Sequence, residues 1–142
     1  MKTTNDLMTT INNITDKETL DLYLKTIKKY KDLNYLEYIN AIISDHGISK
    51  NDIVKASEIN RTYCYQILNG TRKPGRDNAI AIALSSQFTL AETITLLELL
   101  EIGTLYPKNT RDSIIIYAIN RNMSVKETNE LLYSKNEKTL SE

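Results

Sequence analysis

The chain has 142 residues, enough for a real core, and its 18 basic and 18 acidic side chains cancel, so no global charge draws it to nucleic acid. One cysteine excludes an intramolecular disulfide. No apolar run reaches transmembrane length and residues 1–15 hold no signal-peptide core, so a cytoplasmic protein with no membrane partner is expected.

Two prolines and four glycines leave little room for strands or long loops, and an all-α fold is expected. Asn5 is placed to cap a short helix through Leu7, Met8 and Ile11. Thr15-Asp16-Lys17-Glu18 reads as a capping box opening a helix with Leu20, Tyr23, Leu24, Ile27 and Tyr30 on one face. Lys25, Lys28, Lys29 and Lys31 crowd its end, where cations complement the helix dipole; a solvated helix end explains them better than a nucleic-acid contact. Asn34 caps the next helix, with Leu36, Ile39, Ile42 and Ile43 inward and Gly47 as a left-handed terminator. His46 is the only histidine, so no metal site is expected, and it reads as a helix-end cation or a plain surface residue.

Gly47 to Gly75 carries the most information. Ser49 caps a short helix whose apolar face begins at Ile53 and Val54. Asn60 caps a second helix, Arg61 to Asn69, with Cys64, Ile67 and Leu68 on one face, and Gly70 ends it. Only Glu58 and Ile59 lie firmly between the helices, so the two must cross sharply, as in a helix-turn-helix. With Cys64, Ile67 and Leu68 inward, Arg61, Thr62, Tyr65 and Gln66 point outward. Arg suits the guanine O6/N7 edge, Gln the adenine N6/N7 edge, and Thr a thymine methyl. These four are the candidate base contacts. Lys50, Asn60, Tyr63, Asn69, Arg72, Lys73 and Arg76 are the candidate phosphate contacts, the last three in a loop with Pro74 and Gly75. From Lys50 to Arg76 six basic residues stand against Asp52 and Glu58, a local charge of +4.

The spacing from Ile48-Ser49 through Asn60-Arg61-Thr62-Tyr63 to Asn69-Gly70-Thr71-Arg72-Lys73-Pro74 resembles the Xre, or lambda-repressor-like, DNA-binding family. The resemblance spans about residues 35–85. A looser likeness, carrying no known activity, extends through RDNAIAIA, Thr89-Leu90-Ala91-Glu92-Thr93, Leu105-Tyr106-Pro107, Arg111-Asp112 and Asn129-Glu130-Leu131-Leu132 to helix-turn-helix regulators with a helical C-terminal extension. The resemblance implies a lambda-repressor-like five-helix DNA-binding domain. The chain departs from the pattern at three positions. Val54 replaces the usual Ala, Ser57 a core aliphatic, and Glu58 the usual turn Gly. The turn is then either wider than usual, or Glu58 accepts a left-handed conformation at about 1 kcal/mol.

After the motif, Asp77 is expected to cap a helix with Ala79, Ile80, Ala83 and Leu84 inward. Thr89 to Glu92 is a second capping box, opening a helix with Leu90, Ile94, Leu97 and Leu100, widened by Leu96, Leu99 and Ile102 and stopped by Gly103. Its charges, Glu92, Glu98 and Glu101, are all acidic, so it should face away from DNA. A helix follows from Arg111 to Asn122, then a third box, Ser124 to Glu127, opening a helix with Thr128, Leu131 and Leu132. The tail after Ser134 reads as frayed. The expected organisation is a helical N-terminal extension at 1–33, the helix-turn-helix domain at 34–103 and a helical C-terminal extension at 104–142.

Cys64, on an inward face with no histidine placed to activate it, reads as a small hydrophobe. There is no Gly-rich phosphate loop, histidine-based triad or paired metal motif, so neither an enzyme nor a cofactor is expected. The expected function is a sequence-specific double-stranded DNA-binding transcriptional regulator. It would bind a two-fold site as a homodimer, with residues 90–133 supplying most of the contact. The alternative is a helical protein-interaction adaptor or antitoxin-like partner that keeps the fold and binds another protein through the C-terminal helices.

Overall fold

A computed structural model describes residues 8–9, 11–31 and 33–141, and the side chains of 26–31 lie outside that description. The expected cap at Asn5, the contact at Leu7, the apolar positions Ile27 and Tyr30 and the lysines at 28, 29 and 31 fall outside what is described. The described chain is all-helical, with no strand.

α1 runs Lys17–Lys31. Its cap is Asp16, not Thr15: the Asp16 carboxylate accepts from the Thr19 amide and hydroxyl, each at 2.7 Å. Those bonds hold the Asp16 carboxyl below its ordinary range. Leu22 and Leu24 on this helix are exposed.

Five helices follow between Tyr35 and Leu100. α2 (Tyr35–His46) starts at Asn34, whose side chain accepts from the Glu37 amide, and ends at Gly47, left-handed at φ 65°. α3 (Lys50–Ala56) starts at Ser49 and buries Ile53 and Val54. α4 (Arg61–Leu68) starts at Asn60 and buries Cys64, Ile67 and Leu68. α5 (Arg76–Ser85) buries six consecutive residues, Ala79 to Leu84, which suits a helix covered on all sides. It packs against α3, α6 (Leu90–Leu100) and α8 (Val125–Ser134), so it is the axis of the molecule. α6 also packs on α2, and α7 (Thr110–Asn120) packs on α6 and α8.

One core joins α2 to α8, from Tyr38 and Ile39 through Ile80, Leu96 and Leu97 to Ile115, Val125, Leu132 and Leu140. The wide apolar stripe of α6 is used inside: Leu96, Leu97 and Leu100 are buried, and Leu90, Leu99 and Ile102 pack against them.

Several boundaries differ from expectation, for long-range reasons. α5 begins one residue before Asp77, with Gly75 at the cap position and no side-chain cap. Asp77 is not the cap because its carboxylate takes the Arg111 guanidinium at 3.0 Å. α6 ends at Glu101, left-handed at φ 56°, two residues before Gly103. α7 begins at Thr110 behind an Asn109 cap and ends at Asn120, ahead of the left-handed Asn122. The tail is not frayed. Leu140 is buried, and its amide donates to the Asn129 side chain at 2.8 Å. The Lys138 and Thr139 carbonyls accept from Arg111 at 2.9 and 3.1 Å. Nor is His46 a plain surface residue. Its Nδ1–H donates to the Ser86 carbonyl at 3.0 Å, Nε2 lies 3.4 Å from Glu92, and the ring makes a T-shaped contact with Phe88.

Candidate nucleic-acid interface

The turn between α3 and α4 sets the interface. Ser57 is fully buried and closes the turn with its hydroxyl, which donates to the Val54 carbonyl at 3.1 Å and accepts from the Ile59 amide at 3.2 Å. A serine therefore takes the place of an aliphatic by satisfying backbone groups that a sharp turn leaves unpaired. Glu58 is left-handed at φ 62°, so the turn stays tight and the residue carries the strain. Cys64 packs beneath, with Sγ 3.6 Å from the Ser57 hydroxyl, and burial pushes its thiol up.

This packing fixes which side of α4 faces out. Arg61 and Thr62 are exposed and Gln66 is half-buried, one turn beyond Thr62 on the same side. Tyr65 is half-buried and braced on both sides. The Arg61 guanidinium lies over its ring, 5.5 Å from the centroid, and its hydroxyl donates to the Asn51 side chain at 3.4 Å. Tyr63 is likewise half-buried against the core, with Arg72 over its ring at 5.8 Å. Each tyrosine thus supports an arginine. The Asn60 side-chain oxygen accepts from the Tyr63 amide, which leaves the amide NH2 as its outward group.

The exit loop is held in one shape. Gly70 has φ 87°, and a Cβ there would sit 2.6 Å from Leu36 Cδ2. The Arg72 amide donates to the Gln66 carbonyl, and the Thr71 amide and hydroxyl both donate to the Asn69 side chain. Pro74 is buried, and Arg72 and Lys73 are exposed on either side of the bend. Lys50, Arg61, Arg72 and Lys73 form no ion pair among the described residues.

Arg76 is different and leaves the phosphate set. Its guanidinium donates to the Gly103 and Thr104 carbonyls at 3.3 and 2.8 Å and pairs with Asp112 at 2.9 Å. Asp112 also accepts from the Tyr106 amide at 3.0 Å. Arg76-Asp77 opens α5 and Arg111-Asp112 opens α7, and each arginine takes the other helix's aspartate. The repeated Arg-Asp at two helix starts was the sequence signal for this crossed lock. Asn51, which steadies Tyr65, carried no such signal.

No protein-family model matches the chain, and no curated protein or solved structure shows significant similarity to it. Among the described residues no helix is long and apolar enough to cross a membrane.

Proposed function

We propose that the chain is a sequence-specific double-stranded DNA-binding regulator of the lambda-repressor-like kind, acting in the cytoplasm, with α4 as the element that enters the major groove. What carries the reading is the outward face of α4: Arg61, Thr62 and Gln66 stand opposite a buried Cys64, Ile67 and Leu68, next to a pinned loop with two cations that form no ion pair among the described residues. In this reading Arg61, Thr62 and Gln66 read base edges, with Tyr65 as the brace of Arg61. Lys50, Asn60, Asn69, Arg72 and Lys73 hold phosphates, and Tyr63 sets the Arg72 side chain. Two copies on a two-fold operator complete the scheme.

A mobility shift on genomic fragments over a range of salt concentrations tests it. Arg61→Ala should weaken the cognate site by about 1–3 kcal/mol and relax specificity at one base pair. Lys73→Ala should weaken all sequences alike and lower the salt slope by roughly one. If Arg61→Ala stays folded and binds its operator as tightly and as selectively as the parent, α4 is not the reading element. The protein-interaction adaptor, which the zero net charge favours, then takes its place.

A further inference from the structure

Between α7 and α8 lies a cavity of about 570 Å³, away from the residues assigned to DNA. Pro107, Ile114, Tyr117 and Leu131 make its apolar lining, and Lys108 and Lys135 also border it. Ser113 holds the loop wall by donating its hydroxyl to the Pro107 carbonyl. Neither lysine forms an ion pair among the described residues. Tyr117 keeps half its surface exposed at this edge.

The volume lies inside the range of about 300–1,000 Å³ typical of small-molecule sites, which combine apolar walls with a few polar groups. Two cations beside an apolar lining call for a ligand with one negative end and one apolar end. We propose that this cavity binds a small amphipathic carboxylate, the tail along Ile114, Tyr117 and Leu131 and the carboxylate between Lys108 and Lys135.

The test uses the full chain, with decanoate as probe and decanol as its uncharged counterpart, followed by calorimetry and by amide and methyl NMR shifts. Decanoate should bind at a single saturable site, with shifts centred on Ile114, Tyr117 and Leu131. Exchanging both cations (Lys108→Gln with Lys135→Gln) should weaken decanoate about fivefold, the scale of two solvent-exposed ion pairs, and leave decanol unchanged. Leu131→Trp should fill the cavity and abolish both; a folded spectrum for this variant establishes that the loss is local. Four results would overturn the proposal: no saturable binding, shifts centred elsewhere, equal decanoate affinity in the lysine variant and the parent, or amide shifts at this face that grow with protein concentration in the absence of decanoate, which place a second copy there. DNA binding enters none of these readouts, so failure of the regulator reading leaves the result standing, and the reverse.

Discussion

Removing the Asp112 carboxylate tests whether the crossed lock holds the C-terminal helices to the rest. Its side chain is 9% exposed and accepts both the Arg76 guanidinium at 2.9 Å and the Tyr106 amide at 3.0 Å. Asp112→Ala deletes one charge-assisted bond, worth about 1.5–3 kcal/mol, and strands an amide, at about 1–3 kcal/mol. Arg76 is 26% exposed and keeps the Gly103 and Thr104 carbonyls, so water restores part of what its head loses. The sum is discounted to about 2–4 kcal/mol, a fall of roughly 6–12 °C in Tm for a chain this size. Asp112→Asn keeps an acceptor for Tyr106 and should lose about half as much. Urea unfolding at pH 7, followed by circular dichroism, gives both numbers. A double-mutant cycle with Arg76→Ala should return a coupling of at least about 1 kcal/mol. A loss under about 1 kcal/mol for Asp112→Ala, or no coupling, would refute the lock.

Glu58→Gly should raise stability by about 0.5 kcal/mol, since relief of the left-handed strain exceeds the extra backbone freedom of glycine; Glu58→Ala should be neutral, and a destabilised Gly variant in urea melts would count against strain at φ 62°. Burial pushes the Tyr38 phenol, whose hydroxyl has no hydrogen-bond partner among the described residues, well above its ordinary value of 10, and nearby Glu92 adds to this. The folded state therefore keeps a proton the unfolded chain gives up: stability is intact below about pH 10 and falls as pH rises beyond it. Tyr38→Phe should flatten that fall, and an unchanged alkaline slope would contradict it. Cys64 is fully buried with a raised thiol pKa, so a thiol reagent should label it only as fast as the chain opens; rapid stoichiometric labelling of the native protein would be inconsistent with that burial.

The helix starts at Asn34, Ser49, Asn60, Thr89 and Ser124 were legible because each cap is a bond between residues three apart. The outward side of α4 was legible for a similar reason, since i, i+3, i+4 spacing decides it. What sequence spacing could not show runs across the chain. His46 finds Ser86 forty residues on, and Arg76 finds Asp112 thirty-six residues on. The basic stretch from Lys50 to Arg76 therefore looked like six similar cations, although one of them, Arg76, is spent inside the fold. The tail misled in the same way. Its composition is polar, yet Leu140 is buried and Asn129 caps its amide, a pairing that no local pattern announces. The contacts of Arg61 with Tyr65 and of Arg72 with Tyr63 depend on side-chain rotamers that residue order leaves open.

The axial helix has a second side to its chemistry. Residues 79–84 read Ala-Ile-Ala-Ile-Ala-Leu: six uncharged positions without proline, alternating small and large with period two. The isoleucines favour a strand and the alanines a helix, and the helices packed around the segment settle it as helical. Freed from that cover, the same six residues meet the description of a segment that stacks into cross-β sheets. Arg76 and Asp77 precede it, but both are held by partners on α7. Unfolding would release their charges as gatekeepers at one end only, since Ser85, Ser86 and Gln87 carry none at the other. The packing that gives this protein its shape thus also keeps an apolar, uncharged segment from meeting its like in another chain.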